Sequence, residues 1–188
     1  MALKYPISVT PTTKSRISSV DFTNIPFGKV ISDHMFVADF DGKQWVNLRI
    51  EEFHNLEMSP ANLALHYGQS IFEGMKATKR NGEPVLFRAD AHARRLNVSA
   101  ERMCMPQLPE DLFMQALKML VDLDRDWIPE EEGHSLYIRP LMFANDAYFG
   151  VHASETYKFI IFTGPVGPYY PKPVRLWVEE VFTRAAQG

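Results

Sequence analysis

The chain of 188 residues is long enough for one large domain, or one and a part, and its 46% apolar residues can bury a core. A formal net charge of −3 leaves no electrostatic footprint for nucleic acid. The single cysteine, Cys104, excludes an internal disulfide and a thiolate zinc site. With no apolar run near the ~20 residues of a membrane span, the chain reads as soluble and cytoplasmic.

The first twenty residues hold no acid and carry Lys4, Lys14 and Arg16, faintly like a transit peptide. Pro6, Pro11 and the absence of an amphipathic stripe predict a flexible arm instead. Two runs, 34–40 and 44–50, flank Asp41-Gly42, which supplies the positive φ angles of a type I′ turn and predicts a hairpin. Ser59 before Pro60 has the form of an N-cap and first helical position, opening a short helical or irregular segment that leads to Leu65. Asn81-Gly82 predicts a second hairpin, pairing 75–79 with 85–88. Asp90 can cap a helix over 91–103, which Pro106 prevents from continuing. Cys104, between Met103 and Met105, reads as a buried and inert thiol. A clearer helix follows Pro109, with Leu112, Phe113, Ala116, Leu117, Leu120 and Leu123 on one wide apolar face. Strands are predicted over 135–143 and 157–163, the latter dense in β-branched and aromatic residues.

Residues 164–173 hold four prolines and two glycines and predict a linker. Beyond it Val174, Leu176 and Val178 alternate with polar neighbours, the pattern of a new strand. The expected organisation is a first domain over 1–163, a linker over 164–173, and the start of a second domain over 174–188. An unpaired strand over 174–181 is expected either to stay disordered or to associate through its edge.

Tyr137 and Arg139 lie two apart on a predicted strand and so share a face, a phenol and a guanidinium aimed together. An arginine in an apolar strand is costly unless it meets an anion, which a structural carboxylate or a ligand can supply. Arg94 and Arg95 sit on a helix that begins just after a strand. Either guanidinium suits a phosphate, although a solvated helix face is the default for both and only one of two adjacent side chains can point inward. The six histidines show no paired metal-ligand spacing, and no serine elbow accompanies Asp33-His34 or Asp90 with His92.

The run Leu65-His66-Tyr67-Gly68-Gln69-Ser70-Ile71-Phe72-Glu73-Gly74-Met75-Lys76-Ala77 resembles a signature of the branched-chain amino acid aminotransferases, pyridoxal-phosphate enzymes of fold type IV. Four further segments keep the family's order: Phe27-Gly28 with Ser32-Asp33-His34-Met35, Leu86-Phe87-Arg88, Ser135-Leu136-Tyr137-Ile138-Arg139-Pro140, and Gly164-Pro165-Val166-Gly167-Pro168-Tyr169. The resemblance implies that the first domain is a small N-terminal α/β domain and the second a larger one: an α+β fold, an antiparallel sheet with helices, followed by the linker and the first strand of the larger domain. It implies a homodimer that moves the amino group of leucine, isoleucine or valine to 2-oxoglutarate by Schiff-base ping-pong chemistry on pyridoxal 5′-phosphate.

By the same resemblance Arg95 grips the cofactor phosphate. Phe27, Phe72 and Tyr137 wall the side-chain pocket, and Arg139 helps it accept the distal carboxylate of glutamate. Tyr67 and Val151 reach the neighbouring subunit's site, and Tyr169 closes over substrate. No lysine stands in a motif matching the family's catalytic one, which falls beyond a stretch like 182–188, so no catalytic residue is assigned within the chain. Another fold type IV enzyme (a D-amino acid aminotransferase or an aminodeoxychorismate lyase) and a non-catalytic binding or dimerisation module are the alternative readings.

Overall fold

The computed structural model describes residues 3–170 and 172–183. Within them one sheet of eight strands carries the fold. In chain order the elements are β1 (Ser8–Val9), β2 (His34–Phe40), β3 (Trp45–Glu52), α1 (Leu63–Tyr67), β4 (Ser70–Phe72), β5 (Met75–Arg80), β6 (Glu83–Leu86), α2 (Ala89–Arg102), α3 (Glu110–Leu123), β7 (Ser135–Ala144) and β8 (Tyr157–Val166). The sheet runs β1-β3-β2-β8-β7-β5-β6, with β4 also paired to β7. All pairings are antiparallel except β1 with β3.

Period-two alternation gives the sheet two different faces. On one, Leu136, Ile138, Phe36, Phe159 and Ile161 pack against Leu96 of α2 and the apolar stripe of α3 to form the main core. On the other, Met35, Val37, Phe143 and Ile160 make a smaller cluster with Phe53, Leu56 and Phe162. Along β7, Tyr137, Arg139 and Leu141 are only half-buried, and all three point away from α2 and α3.

Pro140 breaks the rule that a central strand excludes proline, and the pairing explains it. Pairing with β4 ends at Phe72 opposite Leu141, and pairing with β5 starts at Met75 opposite Ile138. The missing Pro140 N–H thus falls in the interval between two strands, where its carbonyl accepts the Glu73 N–H at 2.9 Å.

Several local expectations are corrected. The first hairpin forms, but only Gly42 has positive φ (95°), and the Asp41 N–H donates to the Gln44 carbonyl. That is the glycine-first pattern of a type II′ turn, and the Asp41 carboxylate accepts both the Lys43 and Gln44 N–H groups. The second hairpin has positive φ at both Asn81 (53°) and Gly82 (78°), as a type I′ turn demands. α1 is capped by Asn62, whose side chain accepts the Ala64 N–H, while Ser59-Pro60 form a turn before it. α2 starts at Ala89 after a left-handed Arg88, which leaves Asp90 inside the first turn, paired with Arg94 at 2.7 Å.

Cys104 is exposed, because it holds the left-handed position just past α2 (φ 53°) while Met105 turns inward. The N-terminal segment is docked and not a free arm: β1 joins the sheet edge, and Gln115 of α3 binds the Tyr5 backbone in both directions. Gly164-Pro165-Val166, read as the start of a linker, instead extend β8 opposite Tyr137, Leu136 and Ser135. No strand occurs among 172–183, where Leu176, Trp177 and Phe182 are exposed. A ladder needs a partner as well as alternation. Pro171 and residues 184–188, parts of the expected linker and larger domain, lie outside the described residues.

Candidate functional site

A cavity of about 240 Å³ opens on the face away from α2 and α3, over β7 and the end of β8. Tyr137, Arg139 and Phe162 form its floor, and the segment Phe27–Ile31 forms its wall. Two glycines make this possible by sterics alone. A Cβ on Gly164 would stand 2.2 Å from the Val30 carbonyl oxygen, so glycine lets the wall lie against β8. A Cβ on Gly74 would stand 2.5 Å from the Tyr137 hydroxyl, so glycine also leaves room for the phenol.

Arg139 is the charged group of this cavity. Its Nη2 donates to the Tyr137 hydroxyl at 2.8 Å, and the guanidinium lies over the Phe72 ring at 4.4 Å. Its Nε is buried without a hydrogen-bond partner, and among the described residues no carboxylate pairs with it. Of the two ways to meet an arginine on this strand, the structural carboxylate is therefore absent among these residues. Phe27 stands 6.4 Å from the Tyr137 ring and packs edge-on against Tyr169 at 4.9 Å. Phe27, Phe72, Tyr137, Arg139 and Tyr169 are thus gathered by direct contacts into one aromatic and cationic group.

Arg95 lies on α2. Its Nε and Nη2 each donate to Glu73 at 2.6 Å, while His92 Nδ1 meets the same carboxylate at 2.8 Å. Burial pushes the Glu73 carboxyl up, but hydrogen bonds from Arg95 and His92 outweigh this and hold it below the usual carboxylate range. Arg94 pairs with Asp90 at 2.7 Å; both arginines are exposed, so neither points inward as expected, and they differ in partner, a surface carboxylate for Arg94 and the buried Glu73 for Arg95. Glu73 was not singled out in the sequence. The available signal was alternation: Phe72 lies against Arg139 and Gly74 against the Tyr137 hydroxyl, so the residue between them faces the other way, toward α2.

Tyr67 and Val151 do not line the cavity, and both are exposed. They belong to a separate region, where a bridge between Asn62 and Ala147 ties α1 to the loop after β7. Leu65, Tyr148 and Phe149 are also exposed there. A larger groove of about 720 Å³, between β6 and α3, contains none of the candidate residues. Among the described residues no cluster of His, Cys, Asp or Glu could hold a metal ion, and no helix is long and apolar enough to cross a membrane.

The comparisons agree with one another. A probable branched-chain-amino-acid aminotransferase of Staphylococcus aureus (strain MRSA252) is 46% identical over 173 residues, covering 89% of this chain and 48% of that protein. The branched-chain-amino-acid transaminase 1 of Bacillus subtilis (strain 168) is 45% identical over 174 residues, covering 89% and 49%. The chain spans about half the length of the curated relatives it matches. Among solved structures, the Escherichia coli branched-chain amino acid aminotransferase aligns with a TM-score of 0.57 at 28% identity, over 73% of this chain and 41% of that one. The T.th. branched-chain amino acid aminotransferase with pyridoxamine 5′-phosphate aligns with a TM-score of 0.51 at 27% identity, over 71% and 40%. The α+β fold is thus that of fold type IV aminotransferases. The family described as amino-transferase class IV matches residues 70–187, and the chain belongs to that family.

Proposed function

We propose that this chain forms the small, substrate-facing domain of a branched-chain aminotransferase that uses pyridoxal 5′-phosphate. In this reading the enzyme moves the amino group of leucine, isoleucine or valine to 2-oxoglutarate, and works in the cytoplasm as a homodimer. The small domain runs to the end of β8, and the Pro- and Gly-rich residues after Val166 connect it to a larger domain. Tyr67 and Val151, exposed and outside the cavity, would serve the site of the second subunit.

The observation that carries the reading is Arg139, a guanidinium set among rings with a buried, unpartnered Nε. Leaving such a group unsatisfied costs roughly 1–3 kcal/mol, which a ligand carboxylate would relieve. An aliphatic side chain would instead lie against Phe27, Phe72 and Tyr137, so one cavity suits both substrate classes. Tyr137 holds the guanidinium from one side, and Tyr169, edge-on to Phe27, would cover bound substrate and exclude water. Arg95 fits the cofactor phosphate, since its guanidinium is fixed on one edge and exposed on the other. When bound, pyridoxal 5′-phosphate supplies the electron sink of transamination. No lysine lines the cavity among the described residues, so no proton transfer is assigned to this chain.

Arg139→Met in the cofactor-loaded protein tests the reading through its two half-reactions. The glutamate half-reaction should fall by roughly 10–100-fold, as expected for a lost charge-assisted hydrogen bond, and the leucine half-reaction by less than about threefold. Equal losses with both substrates would mean that Arg139 does not discriminate between them, and would sink the dual-specificity reading.

A further inference from the structure

We infer that Glu73 is a positioning residue for the anion-binding edge of Arg95, an inference that rests on the pyridoxal 5′-phosphate reading above. The pair is strongly asymmetric in burial. The Glu73 side chain is 4% exposed and the Arg95 side chain 65% exposed. An exposed arginine would ordinarily sample many rotamers, and a surface ion pair would do little to stop it. Here the acceptor is a buried carboxylate whose own backbone is held by the Glu73 N–H bond to Pro140. Glu73 engages the Nε–Nη2 side of the guanidinium with two bonds of 2.6 Å, so the plane of the group is fixed and the Nη1 edge is left outward.

The carboxylate cancels the charge of the guanidinium, so its contribution to anion binding is orientation and not attraction. The two effects have opposite signs when Glu73 is neutralised, which makes the inference sharp. Without Glu73 the guanidinium gains net charge but loses its fixed plane. The same short segment also places Phe72 under Arg139 and Gly74 beneath the Tyr137 hydroxyl. Three consecutive residues, the last of β4 and the two before β5, therefore serve the phosphate end and the side-chain end of one site.

The test compares binding of pyridoxal 5′-phosphate with binding of pyridoxal, which lacks the phosphate, to the full protein and its variants. Expressing the result as a ratio of affinities separates phosphate recognition from general destabilisation. Wild type should prefer the phosphorylated form, Arg95→Ala should lose that preference, and Glu73→Gln should reduce the ratio by roughly tenfold, the scale seen when a supporting side chain is removed. Arg94→Ala, on the exposed face, should leave it unchanged. Glu73→Asp keeps the charge on a shorter stem and serves if the Gln variant does not fold; its ratio should fall by less. An unchanged or increased ratio in Glu73→Gln, alongside a collapsed ratio in Arg95→Ala, would overturn the positioning role alone. Absence of any phosphate preference in wild type, or an unaffected Arg95→Ala, would overturn the reading of Arg95 and this inference with it.

Discussion

Gly74 and Gly164 are both required by close approach, but the atoms they approach differ in how far they can yield. Opposite Gly74 stands the tip of the Tyr137 side chain, which can rotate away; opposite Gly164 stands the Val30 backbone carbonyl, which cannot move without shifting the cavity wall. Gly164→Ala should therefore destabilise by about 1–3 kcal/mol, and Gly74→Ala by less, as measured by denaturant unfolding. Gly74→Ala should act instead on the site, by displacing the phenol that accepts the Arg139 hydrogen bond. At this scale the sequence was most legible where a rule of period applied. Tyr137 and Arg139 share a face because they are two apart, and the structure joins them at 2.8 Å. Glu73 escaped notice because its meaning depends on Arg95 and His92, which come from an element 19 and 22 residues away.

At the scale of elements, hairpins and long helices were readable because their signals are local, whereas their ends depended on geometry that composition does not encode. The end of α2 is the clearest case. The Met105 N–H bonds to the Ala100 carbonyl and the Cys104 N–H to the Glu101 carbonyl, the Schellman arrangement with Cys104 at the left-handed position that glycine favours. Apolar neighbours suggested a buried thiol, but the cap turns Cys104 outward and Met105 inward. Cys104→Gly should relieve the backbone strain and stabilise the protein by about 0.5–1 kcal/mol. An unchanged or lowered thermal midpoint would show that the thiol contributes something the cap geometry does not reveal. β8 teaches the same lesson. Pro165 looked like a strand breaker, yet paired β2 residues reach only Phe162, so no β2 ladder runs opposite Pro165 to miss its N–H.

For the whole molecule, separate strands and helices followed from alternating and helical patterns and the α+β class from the family resemblance, but strand order followed from neither. β8, last in sequence, sits between β2 and β7 at the centre of the sheet, and residues near the N-terminus close one edge. Long-range carboxylate partners hold these distant parts together, and they dictate how the fold should respond to acid. Asp33 links the N-terminal segment, by accepting the Arg16 N–H, to Trp127 after α3. Asp39 ties Lys158 of β8 and Arg49 of β3 to β2, and Asp146 gathers the Glu155 and Thr156 N–H groups across the β7–β8 loop. In each case burial pushes the carboxyl up, but hydrogen bonds to the ionised form outweigh it and hold it below its ordinary value. Such groups stabilise the fold fully above the unfolded-state value of about 3.9, and that stabilisation is lost as pH falls through their lowered folded values.

Asp124 behaves in the opposite sense. It is buried against His34 at 2.6 Å, and burial raises its carboxyl despite the hydrogen bonds it accepts. In the native state it takes up a proton at a pH where the unfolded chain has not, so acidification through that window adds stability and partly offsets the losses elsewhere. Chemical denaturation from pH 7 downward should therefore show a curve that falls steeply only below about pH 4, where the Asp33, Asp39, Glu73 and Asp146 contributions disappear. Asp124→Asn removes the one opposing titration among these five, so on acidification from neutral pH it should lack the stability that wild type gains as Asp124 protonates, and its curve should decline more steeply, whatever its stability at neutral pH. Parallel curves for the two proteins would mean that Asp124 titrates alike in the folded and unfolded states, and that the His34 pair compensates its burial fully.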